Sequence, residues 1–172
     1  MSANTNSGVD KAVAGGPRIV VGVDGSAPSM RALAWAAAEA ERRAAVLEIV
    51  HADVFRQEAL AALAPDHITT ERSILDRAVA RARTLAPDIV VIGRICDPPP
   101  AKALLAASEG AHLLVVGPRG VGGWRQLALG SVSNECARHA HCPVVIVRPP
   151  ARPRRPVADP STAAPGYQPT AV

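Results

Sequence analysis

Gly117, Gly120, Gly130 and Ser131 fall in the run Gly117-Pro118-Arg119-Gly120, nine further residues, then Gly130-Ser131. The apolar run Leu113 to Val116 precedes them and a helix-like stretch follows. The segment therefore reads as strand, glycine-rich loop and helix N-terminus, an order that turns backbone N–H groups toward a phosphate. Gly117 lets the chain turn and approach a ligand without a Cβ, Gly120 is expected to supply a positive φ, and Gly130 opens the helix close against the ligand. Ser131 can cap that helix or donate its hydroxyl to phosphate. The N–H groups of Ser131, Val132 and Ser133 lack intrahelical acceptors, which a bound anion would replace. Arg119 and Arg125 could neutralise outer phosphates, though a loop arginine is more often only solvated, and Trp124 is expected to anchor the loop by burying its ring, with stacking on a base as the lesser alternative.

Asp24 ends the first strand in Val23-Asp24-Gly25-Ser26, and a sheet that reverses direction between strands one and four brings it beside Gly117. A carboxylate about 4 Å from a phosphate is repelled by roughly 4 kcal/mol at an effective dielectric near 20. Asp24 must then face a ribose, whose hydroxyls it accepts, or a cation that bridges to the phosphates. The plainer role is a cap on the first helix. Other chemistries fit less well. Cys136, His139, His141 and Cys142 are metal-ligand types, but their spacing matches no zinc knuckle and Cys136 falls on the helix face expected to pack inward with Val132 and Ala140. No metal is expected from the protein alone. No Gly-x-Gly-x-x-Gly follows the first strand, and there is neither a Walker Gly-Lys-Ser/Thr nor a Gly-x-Ser-x-Gly turn. His51 and His112 sit at strand ends, where a structural role leaves the site without a general base. Slow ATP hydrolysis or nucleotidyl transfer is the enzyme alternative.

The elements that must position these residues alternate along the chain. Strands are expected at 18–23, 46–50, 88–93, 112–116 and 143–147, from runs rich in β-branched residues. The first helix is expected to start at Ser26 as N-cap, with Pro28 in its opening turn and Met30, Leu33, Ala34 and Ala37 at helical spacing for burial. Arg31, Glu41 and Arg42 are left for water. Further helices are expected over 69–84, 101–108 and 131–139. Apolar strands joined by such helices make right-handed crossovers and a doubly wound parallel sheet, whose ligand site lies beyond the strands' C-terminal ends.

A length of 172 residues suits one domain. The chain divides by composition into a polar segment 1–16, a folded unit 17–148 and a proline-rich tail 149–172, and both ends are expected to be disordered. Arg152, Arg154 and Arg155 against Asp159 put half of the net charge of +4 in that tail. With Tyr167 as its one aromatic, the tail gives little basis for nucleic-acid recognition; a partner groove is its other use. Cys96, Cys136 and Cys142 are an odd number and read as reduced thiols. No apolar stretch reaches membrane-spanning length and residues 1–16 lack a signal-peptide core, so a cytoplasmic location is expected.

A family resemblance is carried by Ile19-Val20-Val21-Gly22-Val23-Asp24-Gly25-Ser26, by Ile49-Val50-His51-Ala52, by Leu114-Val115-Val116-Gly117, by the glycine constellation and by His141-Cys142-Pro143-Val144-Val145-Ile146-Val147. In that order they resemble the nucleotide-binding subgroup of the universal stress proteins. The resemblance implies a five-stranded parallel sheet in the order 3-2-1-4-5, ATP with or without Mg as ligand, a homodimer, and a stress-linked sensor more than a catalyst. It also implies Asp24 at the ribose, the backbone of Ala52 at the adenine edge, Gly117 and Gly120 at ribose and phosphates, and Gly130, Ser131, Val132 and Ser133 at the phosphates. Ser26, in the same motif as Asp24, is counted with these binding residues, and a nucleotide-bound Mg would be met by Asp24. Two features depart from the pattern: Pro118 removes an N–H where the family commonly has Ser or Thr, and prolines cluster in 94–100. The strand from Val144 to Val147 lies at a sheet edge, a liability that pairing with a second copy removes.

Overall fold

The computed structural model describes residues 16–52, 65–96, 99–120 and 129–150. The expectations for Trp124, Arg125, Tyr167 and the tail arginines lie outside these residues. The element order is β1 (Arg18–Val23), α1 (Ala27–Arg42), β2 (Val46–Ala52), α2 (Pro65–Leu85), β3 (Val91–Cys96), α3 (Pro100–Ser108), β4 (Leu113–Val116), α4 (Ser131–His139) and β5 (Val144–Ile146). The strands form one parallel sheet in the order β3-β2-β1-β4-β5. This is the doubly wound α/β fold expected from the alternation of strands and helices.

Side-chain alternation divides the core in two. Ile19, Val21, Val23, Leu47, Ile49, Leu113 and Val115 face α1 and α2, while Val20, Val50, Leu114 and Val116 face α3 and α4. Apart from Leu33, the helices present small residues to the sheet: Ala32, Ala36, Ala37 and Ala40 from α1, and Ala78 and Ala82 from α2, are all fully buried, as is Leu33. The buried stripe of α1 is thus not quite the one expected. Met30 and Ala34 are only partly covered, and Glu39 is buried beside Arg42 and Arg43, with Arg43 Nε 2.6 Å from Glu39 Oε1.

Two boundaries moved for identifiable reasons. Helix α2 begins at Pro65 rather than near residue 69, because proline, lacking an N–H and fixed in φ, suits a first helical turn. Strand β3 begins at Val91, where it meets Leu47 of β2, and runs on to Cys96. Ile89 packs under the helices and Val90 is exposed, so the apolar residues before Val91 belong to the turn. Arg94 sits inside the strand because it pairs with Glu48, a carboxylate buried in the middle of β2, at 3.2 Å. Arg18 pairs with the same carboxylate and donates to the carbonyls of Ala107 at 3.1 Å and Glu109 at 2.6 Å, which ties the C-terminal end of α3 to β1.

Candidate functional site

The connection after β1 leaves to one face of the sheet through α1, and the connection after β4 leaves to the other through α4. Such a divergence opens a crevice at the strands' C-terminal ends. There the chain encloses a cavity of about 420 Å³, within the size range of small-ligand sites. Val23, Val50, Ala52, Val116 and Leu104 give it apolar walls, and Asp24, Ser29, Arg119, Ser131 and Ser133 bring polar groups to it.

Of the residues singled out in the sequence, Asp24, Ala52, Gly117, Gly120, Gly130, Ser131, Val132 and Ser133 all line this cavity. Ser26 does not. It is the N-cap of α1, its Oγ accepting from Ser29 N–H at 3.3 Å, and Ser29 Oγ in turn accepts from Asp24 N–H at 3.3 Å and donates to Ser26 O at 2.9 Å. Ser29, Gly22, Pro100 and Leu104 were not foreseen as lining residues. The signal for the first lay in its place in the opening turn after Asp24. Gly22 is explained by Leu104, whose Cδ1 would be 3.0 Å from a Cβ there.

The glycines owe their identity to crowding. A Cβ on Gly117 would lie 3.1 Å from the Pro28 carbonyl carbon and 3.2 Å from Ser29 N, so β4 ends directly against the first turn of α1. Gly120 does not adopt the positive φ expected of it; among the described residues only Gly25, Gly110 and Ala44 do. Its constraint is contact: a Cβ would fall 2.2 Å from Asp24 Oδ2. The Asp24 carboxylate therefore lies against Gly120, while its Oδ1 accepts from Ser26 N–H at 3.0 Å.

At α4 the N-cap is Gly130, not Ser131, and no side chain caps the helix. The first backbone bond inside it runs from Asn134 N–H to Gly130 O at 3.0 Å. The N–H groups of Ser131, Val132 and Ser133 thus face the cavity without a partner among the described residues. Gly130 N–H donates to Pro118 O at 2.8 Å, and the buried Ser133 Oγ donates to Gly117 O at 2.8 Å, so both groups serve to hold the loop to the helix.

The remaining candidates are placed elsewhere. His51 is buried with Nδ1 donating to Val23 O at 2.8 Å, and His112 Nδ1 accepts from Arg18 N–H at 3.3 Å at the opposite end of the sheet. His139 faces Glu135 at 3.9 Å and His141 faces Glu109 at 4.0 Å, while Cys136 is fully buried under α4. Among the described residues, no group of three or more ligand-type side chains could hold a metal. None of their helices is long and apolar enough to cross a membrane.

A parallel sheet wound in this order, with Asp24 and the uncapped first turn of α4 lining one crevice at its switch point, defines a doubly wound α/β domain. The sequence profile of the Universal stress protein family matches residues 17–148, and the chain belongs to that family. A universal stress protein of Mycobacterium tuberculosis strain H37Rv is 36% identical over 141 residues, 75% of this chain and 46% of the relative. The chain thus spans about half the length of the curated relatives it matches. A universal stress protein solved in complex with cAMP is 30% identical, with a TM-score of 0.62 over 77% of this chain and 97% of that one. The universal stress protein UspA from Lactobacillus plantarum, 21% identical with a TM-score of 0.68 over 77% and 97%, shares the fold.

Proposed function

We propose that the cavity binds an adenine nucleotide and that the protein acts through the bound ligand as a stress-linked sensor rather than by turnover. The observation that carries this is the meeting, in one cavity, of an apolar slot between Val50, Ala52, Val116 and Leu104 with the three unpartnered amides of α4. An aromatic base suits the slot, and an anion suits the amides and the positive end of the helix dipole. The cAMP complex of the 30% identical relative supports the ligand class. In this reading Asp24 receives the ribose hydroxyls, the Ala52 backbone meets the adenine edge, Gly117 and Gly120 let ribose and phosphate approach, and Gly130 with the first turn of α4 holds phosphate. Ser26 contributes by holding Asp24 in place through its N–H. ATP with Mg, the form implied by the family resemblance, is one member of the class.

Residues 17–148 form the binding unit, and 1–16 and 149–172 flank it. A second copy pairs at the sheet edge over Val144 to Val147, that is β5 and the residue after it, whose outer hydrogen-bonding groups no other strand among the described residues covers. A cytoplasmic location goes with this role. The test of the ligand is to denature the purified protein and identify by mass spectrometry and chromatography what it releases, alongside titration with adenine and guanine nucleotides. Release of an adenine nucleotide, or saturable binding of one, is expected; a protein that neither carries nor takes one sinks the reading. Light scattering at micromolar concentration tests the pairing, where a monomer is the adverse result.

A further inference from the structure

We infer that His51 and Ser29 are positioning residues: together they clamp the peptide that carries Asp24 and so aim its carboxylate at the ribose. This rests on the adenine-nucleotide reading above and concerns how the same site selects a ribose with free hydroxyls.

The peptide unit joining Val23 to Asp24 is held from both sides. Its C=O and N–H point in opposite directions, as in any planar trans peptide. On the β2 side, Val23 O lies 2.8 Å from Nδ1 of His51, the residue paired with Val23 in the register of the two strands. A carbonyl only accepts, so Nδ1 carries the proton. On the other side, the ladder between β1 and β4 covers only Ile19–Val21, and Asp24 N–H donates instead to Ser29 Oγ at 3.3 Å. Ser29 Oγ is itself fixed by donating to Ser26 O at 2.9 Å. Both side chains are buried, His51 at 3% and Ser29 at 4% exposure, so breaking either bond leaves a polar group unsatisfied away from water. With the peptide held at both ends the direction of the Asp24 side chain is set, and two further contacts fix its carboxylate: Oδ1 accepts from Ser26 N–H at 3.0 Å, and Oδ2 lies against Gly120. A carboxylate aimed in advance loses less of the ligand's binding energy to ordering. His51 also sits between Val50 and Ala52, which wall the cavity, and so ties that wall to Asp24. Burial alone explains a bonded histidine, but not two side chains from different elements closing on one peptide.

Calorimetric titration of the full chain with AMP, cAMP, ADP and ATP finds the tightest ligand, which is then compared with its analogue lacking the free ribose hydroxyls. The wild type is expected to bind the hydroxylated ligand roughly tenfold or more tighter. In His51→Leu and in Ser29→Ala, both checked for folding by circular dichroism, that ratio is expected to fall by about threefold or more while the analogue's own affinity stays nearly unchanged. His51→Asn, whose side-chain N–H takes the place of Nδ1–H, is expected to keep the wild-type ratio. A merely structural His51 would weaken both ligands alike; that pattern, an unchanged ratio in either folded variant, or equal losses in His51→Asn and His51→Leu overturns the clamp. A wild-type ratio below about threefold overturns the role of Asp24 at the ribose, and the clamp with it, while leaving the adenine reading standing. Failure of all four nucleotides to bind overturns both readings together. The histidine arm is also tested without any variant: nitrogen NMR of the wild type is expected to show His51 protonated at Nδ1, and a neutral ring protonated at Nε2 overturns the clamp.

Discussion

A methyl group on Gly120 would sit 2.2 Å from Asp24 Oδ2, far inside van der Waals contact. The carboxylate is the far end of a side chain and can swing away, but doing so strains the 3.0 Å bond that Oδ1 accepts from Ser26 N–H. Gly120→Ala is therefore expected to leave the fold intact and to weaken nucleotide binding by roughly tenfold or more, a loss of about 1.4 kcal/mol; titration beside a thermal melt checks both halves. Sequence spacing pointed to Gly120 but not to its reason, because a positive φ and a close neighbour both demand glycine and only the second depends on a residue distant in the chain. Cys136 shows the same dependence on surroundings. Burial, aided by the neighbouring Glu135, pushes its thiol from 9.0 up to about 11. Folding thus favours the protonated thiol, and this contribution to stability is fully present below pH 9. It is lost as pH rises toward about 11, with a slope of up to about 1.4 kcal/mol per pH unit. Urea midpoints measured from pH 8 to 11 are expected to fall less steeply in Cys136→Ala than in the wild type.

At the scale of elements, Glu48 is the costliest polar group in the sheet, 2% exposed in the middle of a strand that is otherwise apolar over Val46 to Val50. It is tolerated because Arg18 and Arg94 both pair with it, and Arg18 extends the network to the last carbonyls of α3, where a cation also suits the helix dipole. Removing the carboxylate leaves Arg18 largely covered and without its counter-charge. Glu48→Ala is expected to destabilise the protein by roughly 3–5 kcal/mol, read from denaturant unfolding, and to loosen α3, whose Leu104 and Pro100 wall the cavity. This network explains what the sequence left illegible in the elements. Helix α4 was readable to the residue, since its amphipathic run starts at a glycine and ends at histidine. Strand β3 was misplaced because Arg94, a charge that argues against a strand, becomes acceptable only once Glu48, diagonal to it on the neighbouring strand, supplies a counter-charge. The runs of β1 and β2 could still be read directly, because their one buried charge, Glu48, stands among apolar neighbours on both sides.

At the scale of the molecule, the sheet joins two chain segments at a short seam. Strands β1 and β2 pair along Arg18–Val23 and Val46–His51, whereas β1 and β4 pair only over Ile19–Val21 and Leu113–Val115. The cavity opens just beyond that seam, with Asp24 following β1 on one side and the amides of α4 on the other. A nucleotide bound as proposed would bridge the part of the sheet built by β1, β2 and β3 to the part built by β4 and β5, adding a link across a ladder of only three residue pairs. That the two halves part at a crevice was legible from the order of strands and helices alone; how short the seam is depends on where Gly117 turns the chain against α1, a packing fact that no local pattern encodes. Ligand present at a hundred times its dissociation constant is expected to raise global stability by about 2.7 kcal/mol. Hydrogen exchange should show where the gain falls: amides of β4, β5 and the first turn of α4 slowed more than those of β2 and β3. Protection spread evenly over all five strands would mean that the ligand stabilises the sheet as one cooperative unit and that the seam is not its weak line.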